Sequence, residues 1–307
     1  MVDHGDKFWK DGQVLEWAKA GTVSLMTHTL HYGLGAFEGI RAYRRADGGT
    51  YVFRLAEHVR RLFDSSRLVF IAPRVTTEQV AEGCCAVLRE NGMPEAYIRP
   101  LVVLGAGAMG LLPTDNPAET FVMAWKWGAY LGVDGLEKGI RCKVSSFSRH
   151  TVTSAFPRGK LVGQYVNSTL AKQEAKLGGF DEALLLDSQG CVSEGSGENI
   201  FIVKNGRIST PPLSASILPG ITRDTVITLA REEGHVVVEE SFTRDTVYLA
   251  DEVFLTGTAA EVTPVREIDH RPIGDGHRGP VTAALQARYF DVVRGADDTH
   301  PEWLTKV

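Results

Sequence analysis

Between an apolar run, Ala96 to Leu104, and another that starts near Thr120 lies Gly105-Ala106-Gly107-Ala108-Met109-Gly110. A GxGxxG run after a strand is the phosphate-binding turn of dinucleotide folds. Its glycines turn the chain tightly, and a helix then points its N-terminus at the pyrophosphate. Here no such helix can form. Leu111-Leu112-Pro113-Thr114-Asp115-Asn116-Pro117 follows, and its two prolines remove amide donors and clash with helical backbone. The acid that would hold a ribose about twenty residues on is replaced by the largely apolar 121–127. The glycines therefore predict a loop bordering a pocket, and they are the one feature that speaks for a nicotinamide-dependent dehydrogenase.

With 307 residues the chain has the length of about two domains and can bury a core without metal or disulfide support. Cys84, Cys85, Cys142 and Cys191 show neither CxxC nor framework spacing, which points to a reducing, cytoplasmic setting. Lys and Arg total 33 against 38 Asp and Glu, a net charge of −5 with no basic run, so nucleic acid is not an expected partner. The opening MVDHGDKFWKDGQVLEW is polar and mixed in charge, unlike a signal peptide, and no stretch approaches a membrane span. His28 and His31 have no carboxylate or cysteine cluster to complete a ligand set, so no metal is expected. Neither a GxSxG elbow nor a P-loop occurs.

Periodicity predicts a strand at Thr50–Phe53, helices at Leu55–Leu68 and Thr77–Glu90, and strands at Ala96–Leu104 and 120–127. The pattern weakens at Gly128, Gly132 and Gly135, where a domain boundary is placed. Beyond it come strands at 183–186, 199–203 and 251–255 and a helix at 222–233, with small and polar residues at the junctions.

Two of those junctions suit an anion. Leu218-Pro219-Gly220-Ile221-Thr222-Arg223-Asp224 sets Pro-Gly before an amphipathic helix, leaving backbone N–H groups and the Thr222 hydroxyl at its positive end. The run Thr256-Gly257-Thr258-Ala259-Ala260 ends a strand in small residues that let backbone donors approach a ligand. Ser193-Glu194-Gly195-Ser196-Gly197-Glu198-Asn199 places two glutamates in a Gly-rich turn, by itself as much a solvated hairpin as a site. Leu161, Val162 and Tyr165 surround Lys160 in sequence, and a partly desolvated lysine is the nucleophilic kind. Helical spacing groups Arg54, His58 and Arg61 and leaves Arg60 on another side.

In this order, Lys160 with Tyr165, the 193–199 turn, Pro219 to Asp224 and Gly257-Thr258-Ala259-Ala260-Glu261 resemble the class IV, fold-type IV aminotransferases. Phe37-Glu38-Gly39-Ile40-Arg41, Glu57-His58 ahead of Arg61-Leu62, Ala96-Tyr97-Ile98-Arg99-Pro100 and Trp127-Gly128-Ala129-Tyr130 agree. The resemblance runs from about Trp9 to Trp303 and is nearest to the branched-chain amino-acid aminotransferases. It implies an α/β (α+β) fold: a smaller N-terminal α/β domain (1–129), a linker (130–138) and a larger C-terminal domain (139–307) built around a strand-rich pseudo-barrel.

The resemblance also implies roles. Lys160 would anchor pyridoxal 5'-phosphate covalently and shuttle the proton at the substrate Cα. Glu194 would face the pyridine nitrogen, and Tyr165 would bond the phenolic oxygen. Arg61, Thr222, Thr258 and the N–H of Ile221 would hold the phosphate, with Leu218 also at the cofactor. Phe37, Trp127 and Tyr130 would line the substrate pocket, joined by Met109 and Leu111 from a neighbouring subunit. Arg99, with Tyr32 and Tyr130, would take the distal carboxylate of glutamate, and Tyr97 with the N–H groups of Thr258 and Ala259 the α-carboxylate. The implied reaction is reversible amino transfer between leucine, isoleucine or valine and 2-oxoglutarate by a homo-oligomer of at least two chains. Competing readings are a D-amino-acid or (R)-amine aminotransferase, an aminodeoxychorismate lyase and a non-catalytic binding protein. The stretch 149–159 is only loosely family-like, and an inward Arg158 would lower the basicity of Lys160.

Overall fold

The computed structural model describes residues 3–128 and 131–307, so Tyr130 lies outside the described residues. The chain divides into two compact units. One comprises residues up to Trp127 with Gly159–Gln164 and Val292–Val307, the other Gly128–Arg158 with Tyr165–Asp291. Two segments beyond residue 139 thus belong with the N-terminal part, so the grouping differs from a single cut at 130–138. For the C-terminal segment the reason is strand pairing: Leu304–Lys306 lies antiparallel to Thr50–Phe53.

In the first unit an antiparallel sheet runs Leu304–Lys306, Thr50–Phe53, Ile40–Arg44, Ala96–Leu104, Ala118–Trp125, Lys7–Lys10, Gln13–Glu16, with Gly35–Phe37 also on Ala96–Leu104. The helices Leu55–Leu68 and Thr77–Glu90 form as their apolar spacing predicts. The second begins with a capping box in which Thr76 and Gln79 satisfy each other's backbone N–H. Leu55, Val59 and Leu62 meet Ile40, Ile98 and Val102 of the sheet in the core. The strand expected at 120–127 is instead Ala118–Trp125, because pairing starts at Leu104↔Ala118, directly after the loop. No helix begins between Gly105 and Pro117, as the two prolines require.

The second unit carries a mixed sheet in the order Val192–Gly195, Glu182–Leu186, Ile140–Ser148, Glu261–Ile268, Glu252–Gly257, Asn199–Lys204, Arg207–Thr210, Val237–Glu239. Val192–Gly195 ends this order and Asn199–Lys204 stands five strands along. Yet only residues 196–198 separate them, and Gly195 N–H donates to Glu198 O at 2.7 Å. The sheet must curl to bring them together, which makes a half-barrel where a strand-rich pseudo-barrel is expected. Its apolar interior joins Ile140, Leu184, Ile200, Val253 and Val265. The helix Tyr165–Leu177 had no expectation from periodicity, since the residues it buries are Ser168, Ala171 and Ala175. Among the described residues no helix is long and apolar enough to cross a membrane, and the four cysteines are free thiols.

Candidate active site

Register places the chemistry of the first unit. Gly35–Phe37 and Ile40–Arg44 both pair with Ala96–Leu104, at Phe37↔Leu101 and Ile40↔Ile98. The two-residue alternation of strands then sends Phe37, Gly39 and Arg41 to the face of Tyr97 and Arg99, and Ala36, Glu38 and Ile40 to the core face.

On the first of these faces the Arg99 guanidinium lies 4.6 Å from the Phe37 ring centre and 5.4 Å from those of Tyr97 and Trp125. Its Nη2 donates to the Tyr97 hydroxyl at 3.2 Å, and its Nε is buried without a hydrogen-bond partner among the described residues. The Trp127 ring stands edge-on to Tyr97 at 4.6 Å, and its carbonyl accepts from Arg41 Nη2 at 3.0 Å. Glycine at position 39 leaves the Tyr97 ring its place, because a Cβ there would come within 1.8 Å of the Tyr97 hydroxyl and displace it. Lys160 Nζ lies 5.0 Å from the same Phe37 ring. Its main chain is held on both sides: the carbonyl accepts from Phe37 N–H at 3.1 Å, and the N–H donates to Ser65 Oγ at 3.0 Å.

On the core face Glu38 is fully buried. Its carboxylate accepts from Arg61 Nε at 2.6 Å, Arg61 Nη2 at 2.9 Å and His58 Nδ1 at 2.7 Å. Burial works against ionising Glu38, but Arg61 and then His58 outweigh it and hold the carboxyl well below the usual range. Burial pushes the His58 imidazole down by more than Glu38 pulls it up, with Arg61 and Lys160 adding to the depression. A neutral His58 facing a carboxylate carries its proton on Nδ1.

Three junctions converge in the second unit. Glu194 Oε2 accepts from Asn199 Nδ2 at 3.1 Å and from Leu218 N–H at 3.0 Å, while Oε1 is ion-paired to Arg149 Nε at 2.6 Å. Asn199 Nδ2 also donates to Leu218 O at 3.0 Å, which draws the start of the helix Ile221–Glu232 to the 194–199 turn. Gly220, just before that helix, leaves room for the amide: a Cβ would lie 1.9 Å from Asn199 Oδ1. The first N–H groups of any helix lack intrahelical acceptors, and no N-cap side chain accepts from them here. Glu252–Gly257 pairs with Asn199–Lys204 and sets Gly257, which leads into the turn 258–260, beside Gly197 and Glu198. Glu261, left-handed at φ 56°, closes that turn. Thr222 is buried, and the buried Thr256 Oγ1 lacks a partner among the described residues.

Of the residues singled out from sequence, the first unit holds Lys160, Arg61, Phe37, Tyr97, Arg99, Trp127, Tyr32, Met109 and Leu111. It brings the lysine, Phe37, Arg99, Tyr97 and Trp127 together. Tyr32 packs on His28, with ring centres 4.6 Å apart, and Met109 and Leu111 are exposed. The second unit holds Tyr165, Glu194, Leu218, Ile221, Thr222, Thr258 and Ala259. His28 and His31 bond the carbonyls of Gly110 and Leu25 through Nε2, both at 2.8 Å. Arg158 is exposed, and Arg54 pairs with Glu57 and covers Trp303. Sequence reasoning gave Glu38, Ser65, Arg149 and Asn199 no role. For Glu38 the available signal was a charged residue at a core-facing position of an apolar strand.

The donor set suits pyridoxal phosphate. Helix-start amides and hydroxyls match a phosphate, a carboxylate steadied by donors matches a ring nitrogen, and Lys160 supplies an amine. The amino-transferase class IV family matches residues 35–268. A branched-chain-amino-acid aminotransferase of Pseudomonas aeruginosa is 50% identical over all of this chain and 99% of its own. The solved branched-chain amino acid aminotransferase of Escherichia coli superposes with a TM-score of 0.95 at 42% identity over 98% of both chains. That of Thermobaculum terrenum, in its PLP form, superposes at 0.93 with 35% identity over 99% of both. With the family spanning both the lysine and the cradle, the chain belongs to the class IV aminotransferases.

Proposed function

We propose that this chain transfers the amino group of L-leucine, L-isoleucine or L-valine to 2-oxoglutarate with pyridoxal phosphate, giving L-glutamate and the branched-chain 2-oxo acid. The full-length likeness to branched-chain-amino-acid aminotransferases supports the reaction. The observation that carries it is the Phe37 ring, with Lys160 Nζ at 5.0 Å and the Arg99 guanidinium at 4.6 Å. A reacting amine and a carboxylate-binding cation thus share an aromatic wall. Such a wall accepts an aliphatic side chain, and the cation within it accepts the distal carboxylate of glutamate.

Pyridoxal phosphate, when bound, supplies an aldehyde for the amine and a ring that takes up the electron pair left as Cα loses its proton. Lys160 anchors it and carries that proton on Nζ. Glu194 keeps negative charge against the ring nitrogen, and Tyr165 donates to the phenolic oxygen. Arg61, the Ile221 N–H and the hydroxyls of Thr222 and Thr258 hold the phosphate beside Leu218. Tyr97 and the N–H groups of Thr258 and Ala259 take the α-carboxylate. Arg99 with Tyr32 and Tyr130 takes the distal carboxylate, and Trp127 completes the wall. Met109 and Leu111, exposed like Leu25 and Leu30, would reach the substrate pocket of a second copy, and the working unit in this reading is a homodimer acting in the cytoplasm.

Lys160→Ala should abolish transamination, and turnover retained by that variant would remove the assignment. Arg99→Ala should cut kcat/KM for glutamate about 10- to 100-fold and that for leucine by less than about threefold. Equal losses on both substrates would remove the role given to Arg99.

A further inference from the structure

Glu38 sits on the core face between Ala36 and Ile40, all three without exposure. A buried ion pair exchanged for apolar side chains of similar volume is often neutral or better for stability, so stability alone does not account for an acid there. Its geometry does suggest a task. Both oxygens meet nitrogens of one guanidinium, Nε at 2.6 Å and Nη2 at 2.9 Å, and a fork of this kind fixes the plane and direction of Arg61. His58, one turn earlier on the same helix, steadies the carboxylate from Nδ1 at 2.7 Å.

One turn beyond Arg61, Ser65 accepts from the Lys160 N–H at 3.0 Å. Phe37, the residue before Glu38, donates its N–H to the Lys160 carbonyl at 3.1 Å. Lysine and arginine are therefore both referenced to one dipeptide, Phe37-Glu38, and to one helix face carrying His58, Arg61 and Ser65. We infer that Glu38 is a positioning residue that sets the Arg61 guanidinium, at a fixed offset from Lys160, to receive the phosphate of pyridoxal phosphate. This rests on the assignment of Arg61 to the phosphate made above.

The test compares pyridoxal phosphate with pyridoxal, which lacks the phosphate, in separate titrations of the full-length protein stripped of cofactor. Arg61→Ala and Glu38→Gln should each weaken pyridoxal phosphate by about tenfold or more, as loss of a supporting partner typically does, and leave pyridoxal within about twofold. With Arg61→Ala already in place, Glu38→Gln should add less than about twofold. Glu38→Gln weakening both compounds equally would mark a merely structural role and overturn the inference. So would an unchanged preference in Glu38→Gln alongside a lost one in Arg61→Ala. An unchanged preference in Arg61→Ala would instead remove the phosphate assignment, and the inference with it. If Glu38→Gln does not fold, Glu38→Asp keeps the charge but withdraws it by one methylene. A preference between those of wild type and Arg61→Ala supports the inference, and a wild-type preference overturns it.

Discussion

Glu38 in the first unit and Glu198 in the second are nearly equally buried, at 0% and 5% exposure, yet their neighbours drive them in opposite directions. Glu38 faces a guanidinium and a histidine and is held below the usual carboxylate range. For Glu198, burial and then the negative charge of Glu182 push the carboxyl up to about 8, against the pull of Lys172 and the Gly197 N–H. Lys172 is ion-paired with Glu182, and its pull on Glu198 is outweighed by burial and by the Glu182 charge. Burial alone does not set ionisation; the sign of the nearest available partner does.

The two glutamates therefore answer pH with opposite slopes. The depressed Glu38 contributes stability that is present above the ordinary value of 4.5 and is lost as pH falls toward its folded value. His58, kept low by burial, acts in the same direction below 6.5. For the raised Glu198 the contribution is intact below 4.5 and is lost as pH rises through about 8.

The severest way to break this comparison is Glu38→Leu, which strands the Arg61 charge next to the core. It should cost about 3–5 kcal/mol at neutral pH, read from denaturant midpoints, with the difference from wild type shrinking on acidification below 4.5. Adding Arg61→Met should recover most of the loss, since removing both partners leaves no uncompensated charge. A double variant no better than the single would show that Glu38 is held by something other than its cation.

Glu198→Gln tests the other side. Gln cannot ionise, so the variant should exceed wild type by roughly 1–3 kcal/mol at pH 7. The advantage should vanish toward pH 4.5 and level off above about pH 8. A difference that grew on acidification would mean that Glu198 is buried as an anion, and the contrast with Glu38 would disappear.

How much of this could be read from residues alone follows from the range over which each feature is specified. Leu55–Leu68, Thr77–Glu90 and Ala96–Leu104 formed where periodicity placed them, because each writes its buried face into its own spacing. Tyr165–Leu177 did not announce itself, since Ser168, Ala171 and Ala175 are too small to mark an apolar stripe. The helix start at Ile221 was legible because Pro219-Gly220 and the helix after it are contiguous. The partners of Glu194 were not: Arg149 and Leu218 reach it from separate elements of a curled sheet. Helical phase put His58 and Arg61 on one side, but only the strand register, Phe37↔Leu101 with Ile40↔Ile98, turns Glu38 toward them. The same phase grouped Arg54 with them, and its guanidinium pairs with Glu57.

The smallest expected effect isolates the electrostatic origin of the two slopes. Thr76→Ala removes the capping box at the start of Thr77–Glu90, in which Thr76 Oγ1 accepts from Gln79 N–H at 3.3 Å and Gln79 Oε1 from Thr76 N–H at 2.8 Å. It should cost about 1 kcal/mol, in the same unit as Glu38 but without touching a buried charge. Between pH 6 and 9 that cost should stay constant, because the one carboxylate affected, Glu78, is held low by its own backbone N–H and by the hydroxyls of Thr76 and Thr77 and is ionised throughout. If the Thr76→Ala difference tilted between pH 6 and 8 as that of Glu198→Gln is expected to, that slope would belong to unfolding of the whole chain, and the raised carboxyl of Glu198 would not be its cause.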